Sequence, residues 1–107
     1  MFYLLSLFFH LLVPAQPQKP AADHSPLTIT PLCDSVFIYT TYSHYQGTPF
    51  PSNSMYVVTE AGVVMIDTPW DSTQFQPLLD SIRNRHKQEV VLCIATHSHA
   101  DRTAGYQ

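Results

Sequence analysis

Apolar positions change their period several times along the chain, and each change marks a different element. Met1 to Val13, MFYLLSLFFHLLV, is a run of large apolar side chains broken only by Ser6 and His10. It is shorter than the roughly 20 residues needed to cross a bilayer core. It matches the apolar region of a secretory signal peptide, with Val13-Pro14-Ala15 offering small residues for cleavage before Gln16. A basic flank is missing, so a buried hydrophobic helix or a mis-assigned start codon are the competing readings. Residues 1–15 are therefore expected to be a signal peptide. Residues 16–26, QPQKPAADHSP, are expected to be an exposed polar leader, because they are proline-rich and carry no apolar period.

From Leu27 to about residue 71 the pattern is β. Leu27-Thr28-Ile29-Thr30 alternates, and Pro31 is expected to end that strand. Val36 to Tyr42, VFIYTTY, is rich in β-branched and aromatic residues and predicts a second strand. Ser43 to Ser52 contains Gly47, Pro49 and Pro51 and is expected to be a loop. Asn53–Thr59 and Val63–Asp67 predict two strands of an antiparallel hairpin across Glu60-Ala61-Gly62. The period then becomes helical: Phe75, Leu78, Leu79, Ile82 and His86 form one stripe, with Arg83, Arg85 and Lys87 at the end that suits cations. Pro77 places the regular part of this helix near itself, with Asp71, Ser72 or Thr73 capping an initial turn. Glu89 to Ala95, EVVLCIA, is nearly continuously apolar and predicts a strand buried on both faces. The expected class is α/β: a mixed sheet that acquires a covering helix.

Composition narrows the function. The 107 residues hold 8 acidic and 5 basic side chains, and a net charge of −3 argues against a nucleic-acid surface, which shows a basic excess. At 45% hydrophobic residues the chain is globular in composition and short enough for one small domain at most. Two cysteines are too few for a disulfide framework. A Cys33–Cys93 bridge would need Cα atoms close together, and both residues read more simply as structural thiols.

Chemistry concentrates directly after the last predicted strand, in Thr96-His97-Ser98-His99-Ala100-Asp101-Arg102. Two imidazoles two positions apart on extended or turning backbone project to the same side and grip one cation, and the following carboxylate reaches a neighbouring position. Zinc suits this mixture of nitrogen and oxygen donors. The carboxyl end of a buried strand is also where α/β folds place their sites. Ordinary loop histidines are the alternative, but a His-x-His-x-Asp run after a strand is seldom accidental.

Three segments together, Asn53-Ser54-Met55-Tyr56-Val57-Val58, Val63 to Trp70 (VVMIDTPW) and Thr96 to Gly105 (THSHADRTAG), resemble in order and spacing the N-terminal half of a class B, subclass B1, metallo-β-lactamase. The resemblance covers residues 27–107. It implies the N-terminal part of an αββα sandwich, cut within the domain. It also implies zinc, up to two ions in a complete enzyme, and hydrolysis of the β-lactam amide bond by metal-activated water without a serine acyl-enzyme. His97 and His99 would be ligands of the first zinc, and Asp101 a catalytic ligand of the second. Arg102 and Asp67 would support these ligands from behind. Superfamily hydrolases acting on thioesters or RNA carry a histidine after the Asp, where this chain has Arg102. The Ser43–Ser52 loop would cover substrate, with Tyr45, Phe50 and His44 facing an apolar substituent. A third histidine for the first site, and a cysteine and histidine for the second, would come from chain beyond Gln107. His24, His44 and His86 do not match those positions. The implied protein is a periplasmic antibiotic-resistance enzyme, monomeric when complete, acting on a β-lactam antibiotic, with no nucleic-acid partner and no membrane span once its signal is removed. The 107-residue fragment alone is expected to be inactive. Another superfamily hydrolase, or a non-catalytic remnant, are the rival readings.

Overall fold

The computed structural model describes residues 27–106. The expected signal peptide and leader lie outside them. Five strands, β1 (Leu27–Cys33), β2 (Val36–Tyr45), β3 (Thr48–Thr59), β4 (Gly62–Ile66) and β5 (Val90–Ile94), form one sheet in sequence order. All neighbours are antiparallel except β4 and β5, which are parallel and joined by helix α1 (Phe75–His86). A short helix α2 (Ala100–Thr103) follows β5. The expected α/β class with a mixed sheet is what forms. Among the described residues no helix is long and apolar enough to cross a membrane.

The helix begins as the capping residues require. The Asp71 carboxylate accepts from the Thr73 amide at 2.9 Å and opens a single 3-10 turn at Ser72–Gln74, after which α1 starts. Pro77 sits in the first turn of α1, where its missing N–H has no intrahelical acceptor to lose. Lys87, at φ 57°, ends the helix in the left-handed conformation, and its amide returns to the Arg83 carbonyl. Leu78 and Ile82 from the predicted stripe are fully buried against Phe37, Tyr39, Tyr56, Val63 and Met65 on one sheet face.

Three sequence expectations are corrected by this architecture. Residues 43–52 are not a loop: they are the outer arms of a long hairpin whose turn is only Gln46-Gly47. Both turn residues have positive φ, 50° and 78°, the mirror-image turn whose twist matches the flanking strands. The prolines are tolerated because of register. The Val58 amide bonds the Ser35 carbonyl, so hydrogen-bonded pairs fall on odd-numbered β2 residues, whereas Pro51 faces Tyr42 and Pro49 faces His44. Each proline thus lacks an amide that would have pointed away from β2. Pro31 likewise does not end β1, which continues to Cys33, because it lies on an edge strand.

The third correction concerns β5, which is not buried on both faces. Val91, Leu92 and Ile94 are exposed, since α1 covers one face only and β5 is an edge among the described residues. The uncovered face is apolar across four strands, with Ile38, Met55, Ile66 and Ile94 in one register row and Val36, Val57, Val64 and Leu92 in the next. Gly62 sits where β4 meets the irregular start of β5: its φ is 130°, and a Cβ there would fall 2.5 Å from a Val91 methyl. Cys33 and Cys93 are free, on β1 and β5. Four strand spacings, about 19 Å, separate those strands, well beyond disulfide reach.

Candidate metal centre

The segment after β5 turns back past the carboxyl end of β4 to the middle of β3, and the buried Asp67 sets its path. Asp67 adopts φ 61°, a conformation a short polar side chain tolerates, and its amide bonds the Ile94 carbonyl at 2.7 Å. Its carboxylate accepts the Thr96 amide at 2.7 Å, and both of its oxygens lie within 3.0 Å of the Thr96 hydroxyl. Thr96 immediately precedes His97, so the first histidine leaves a backbone point fixed by a carboxylate 29 residues earlier. The buried Tyr39 hydroxyl donates to the Asp67 carbonyl at 2.8 Å, and burial pushes that phenol well above its ordinary pKa.

From this anchor the chain presents its donors. His99 caps α2 with extended backbone, and Asp101 lies in the first turn of α2. One donor atom from each of His97, His99 and Asp101 lies within 4.8 Å of the others. His97 Nε2 is 3.5 Å from an Asp101 oxygen, and the two imidazoles meet edge to face with ring centres 4.9 Å apart. Ligands sharing a zinc ion at about 2.0–2.1 Å in tetrahedral array stand roughly 3.3 Å apart. The donor chemistry, two imidazoles and a carboxylate at the surface, suits a borderline cation such as zinc, while the 4.8 Å span is wider than the spacing on a single ion.

Arg102 connects this cluster to the sheet. Its Nε lies 3.2 Å from one Asp101 oxygen, and its Nη1 donates to the Asn53 carbonyl at 2.7 Å and the Ser54 hydroxyl at 3.0 Å. The same nitrogen is 3.7 Å from Asp67, so one guanidinium stands between two carboxylates. The Arg102 carbonyl accepts from the Thr68 amide and hydroxyl, and the Thr68 hydroxyl in turn accepts the Gly105 amide. The structure thus brings His97, His99, Asp101, Arg102 and Asp67 into one connected assembly. Tyr45 and Phe50 are at the hairpin tip, exposed and packed edge to face on each other at 6.4 Å. His44 is exposed on the hairpin, while His86 lies on α1 against Tyr56. Cys93 is half-buried, and burial pushes its thiol up.

Sequence reasoning missed Thr96 as the anchored residue, and Ser54 and Tyr39 as supports. The only signal for them was their position beside motifs, since their partners are 27 to 48 residues away.

A sheet with one helical covering layer and a His-rich donor cluster at a strand's carboxyl end defines a metal-binding α/β domain. Residues 47–106 match the family described as the metallo-beta-lactamase superfamily, and the chain belongs to it. It is 44% identical over 79 residues to the metallo-beta-lactamase type 2 of Elizabethkingia meningoseptica, covering 74% of this chain and 32% of that protein. It is 46% identical over 72 residues to metallo-beta-lactamase IND-1 of Chryseobacterium indologenes, covering 67% and 30%. Among solved structures it resembles metallo-beta-lactamase IND-7, with a TM-score of 0.71 at 43% identity over 76% of this chain and 37% of that one. A metallo-beta-lactamase from Pontibacter korlensis gives a TM-score of 0.70 at 39% identity, over 75% and 37%. The chain spans about a third of the length of the curated relatives it matches.

Proposed function

We propose that this chain is the N-terminal part of a secreted, zinc-dependent β-lactamase, with residues 27–107 contributing one portion of its catalytic domain. The carrying observation is the His97–His99–Asp101 cluster backed by Arg102, in a chain whose relatives are named as metallo-beta-lactamases. Zinc bound there supplies a water acidified toward a pKa of about 7 and a Lewis acid for the scissile carbonyl. His97 and His99 provide nitrogen donors and Asp101 an oxygen donor. Asp67 holds the Thr96 backbone and so fixes where His97 starts. Arg102 holds Asp101 in place through its ion contact and ties it to β3. Tyr45 and Phe50 form an apolar tip suited to the substituents of a β-lactam and to excluding water around it. The apolar segment 1–15 serves as an export signal in this reading, which places the enzyme in the periplasm.

The test uses the full-length protein that carries this chain. It should open penicillin and carbapenem rings, followed by loss of ring absorbance. Excess chelator should abolish turnover, and zinc should restore it. His99→Ala should remove turnover. Retained turnover in excess chelator, or hydrolysis confined to thioesters or phosphodiesters, would overturn the assignment.

A further inference from the structure

The hairpin formed by residues 43–51 projects beyond the described partners of β2 and β3: the last β1 pair is Leu27 with Thr41, and the last β4 pair is Ile66 with Met55. Among the described residues no further strand flanks it there, and a side chain from outside the hairpin bonds each arm at its base. On the β3 arm the grip is Arg102, through the Asn53 carbonyl and the Ser54 hydroxyl. On the β2 arm it is Gln74. The Gln74 Oε1 accepts the Tyr42 amide at 3.1 Å, and its Nε2 donates to the Tyr42 carbonyl at 2.7 Å. A primary amide offers one acceptor and two donors in a plane, so it pairs with both backbone groups of a residue as an adjacent strand would.

Gln74 is itself rigidly held. It is 7% exposed, its amide bonds the Asp71 carbonyl at 3.0 Å, and its Nε2 lies 3.5 Å from the Asp71 carboxylate. That carboxyl is held below its ordinary range, first by the Thr73 hydroxyl and in part by the Gln74 side chain itself. The grip therefore spans the start of the helical layer and the root of the hairpin. Gln74 bonds Tyr42 and Asp71 and, among the described residues, none of the donors that Arg102 touches, so hairpin position is separable from metal binding.

We infer that Gln74 is a positioning residue that fixes the base of the β2–β3 hairpin by standing in for a neighbouring strand at Tyr42. This rests on the proposed role of the hairpin tip as the cover over substrate. Without the two bonds the β2 arm loses this hold on the helical layer, and Tyr45 and Phe50 sit less firmly over bound substrate. The expected signature is weaker substrate binding with the metal site unchanged.

The experiment compares the full-length protein with its Gln74→Met and Gln74→Glu variants. Met keeps the volume and removes both bonds. Amide hydrogen exchange at Ser43, Tyr45, Thr48 and Phe50 should accelerate roughly tenfold or more in Gln74→Met, as two lost hydrogen bonds require, while Tyr56 and Val63 stay protected. KM for penicillin should rise several-fold with kcat and zinc content close to the parent's. Gln74→Glu supplies a readout that loss of packing would not: a protonated carboxyl accepts and donates like the amide, a carboxylate only accepts. Its hairpin should be protected at acidic pH and lose protection as pH rises through the carboxyl's titration. Unchanged hairpin exchange in Gln74→Met, or a pH-independent Gln74→Glu hairpin, would overturn the inference. Exchange is read whether or not the protein opens β-lactams, so failure of the substrate assignment leaves a distinct result: altered exchange without hydrolysis.

Discussion

At the scale of single residues, the cluster depends on a carboxylate that the ligand motif itself does not contain. Asp67 is 4% exposed and answers the Thr96 amide and hydroxyl together. Removing it leaves that amide, on an exposed residue, to bond water in place of its fixed partner. It also frees the backbone from which His97 projects and takes one of two carboxylates away from Arg102. Groups that orient metal ligands typically change metal affinity about 10–100-fold when lost. Asp67→Ala in the full-length protein should therefore weaken zinc binding by about that factor, measured by competition with a chromophoric chelator. Unchanged affinity would reduce Asp67 to a structural role. The candidate donor group was legible because His97, His99 and Asp101 are local, and local spacing carries the signal. The supports were not, because Thr96, Ser54, Tyr39 and Gln74 acquire their roles through partners dozens of residues away, and nothing in residue type separates them from ordinary strand or turn positions.

At the scale of elements, the helical period placed Leu78 and Ile82 in the core, and the Asp71 cap and Pro77 position located the helix start. The hairpin arms were misread for a definable reason: proline punctuates a chain only where its missing amide was needed, and strand register, invisible locally, put Pro49 and Pro51 at outward-facing positions. The last turn of α1 carries a group whose sequence period suggested only packing. His86 Nε2 lies 2.9 Å from the Tyr56 hydroxyl, and its ring sits 4.6 Å from that of Phe37, which also stacks on Tyr56 and lies beneath the Arg85 guanidinium. Burial first, and Arg85 second, lower the His86 pKa below its ordinary value. A histidine with a depressed folded pKa binds protons more tightly when unfolded. Its contribution is thus fully present above the unfolded pKa, about 6.5, and is lost as pH falls through the lower folded value. Denaturant midpoints of the full-length protein should drop as pH falls below about 6.5, and His86→Phe should flatten that particular slope. A profile identical in both proteins would show that other groups carry the acid sensitivity.

At the scale of the whole molecule, α1 covers one sheet face and, among the described residues, nothing covers the other. Ile38, Met55, Ile66 and Ile94 cross four strands as a continuous apolar row beside that of Val36, Val57, Val64 and Leu92, and the β5 members Leu92 and Ile94 are 51% and 46% exposed. A row of this kind is what the inner face of a two-sheet sandwich presents to its partner sheet, the architecture implied by the resemblance to metallo-beta-lactamases of which this chain spans about a third. The cluster shows the same one-sidedness: three donors stand together, and a catalytic zinc keeps three protein ligands on one ion with a fourth position open. If those three are divided between two ions, as the resemblance implies, the 107-residue chain completes neither. Expressed alone, it should therefore show no penicillin hydrolysis above buffer and only weak zinc binding, and its uncovered face should bind a hydrophobic dye that the full-length protein excludes. Calorimetric titration giving one tight zinc site, accompanied by turnover, would mean instead that His97, His99 and Asp101 serve a single ion and that residues 27–106 form a self-sufficient catalytic unit.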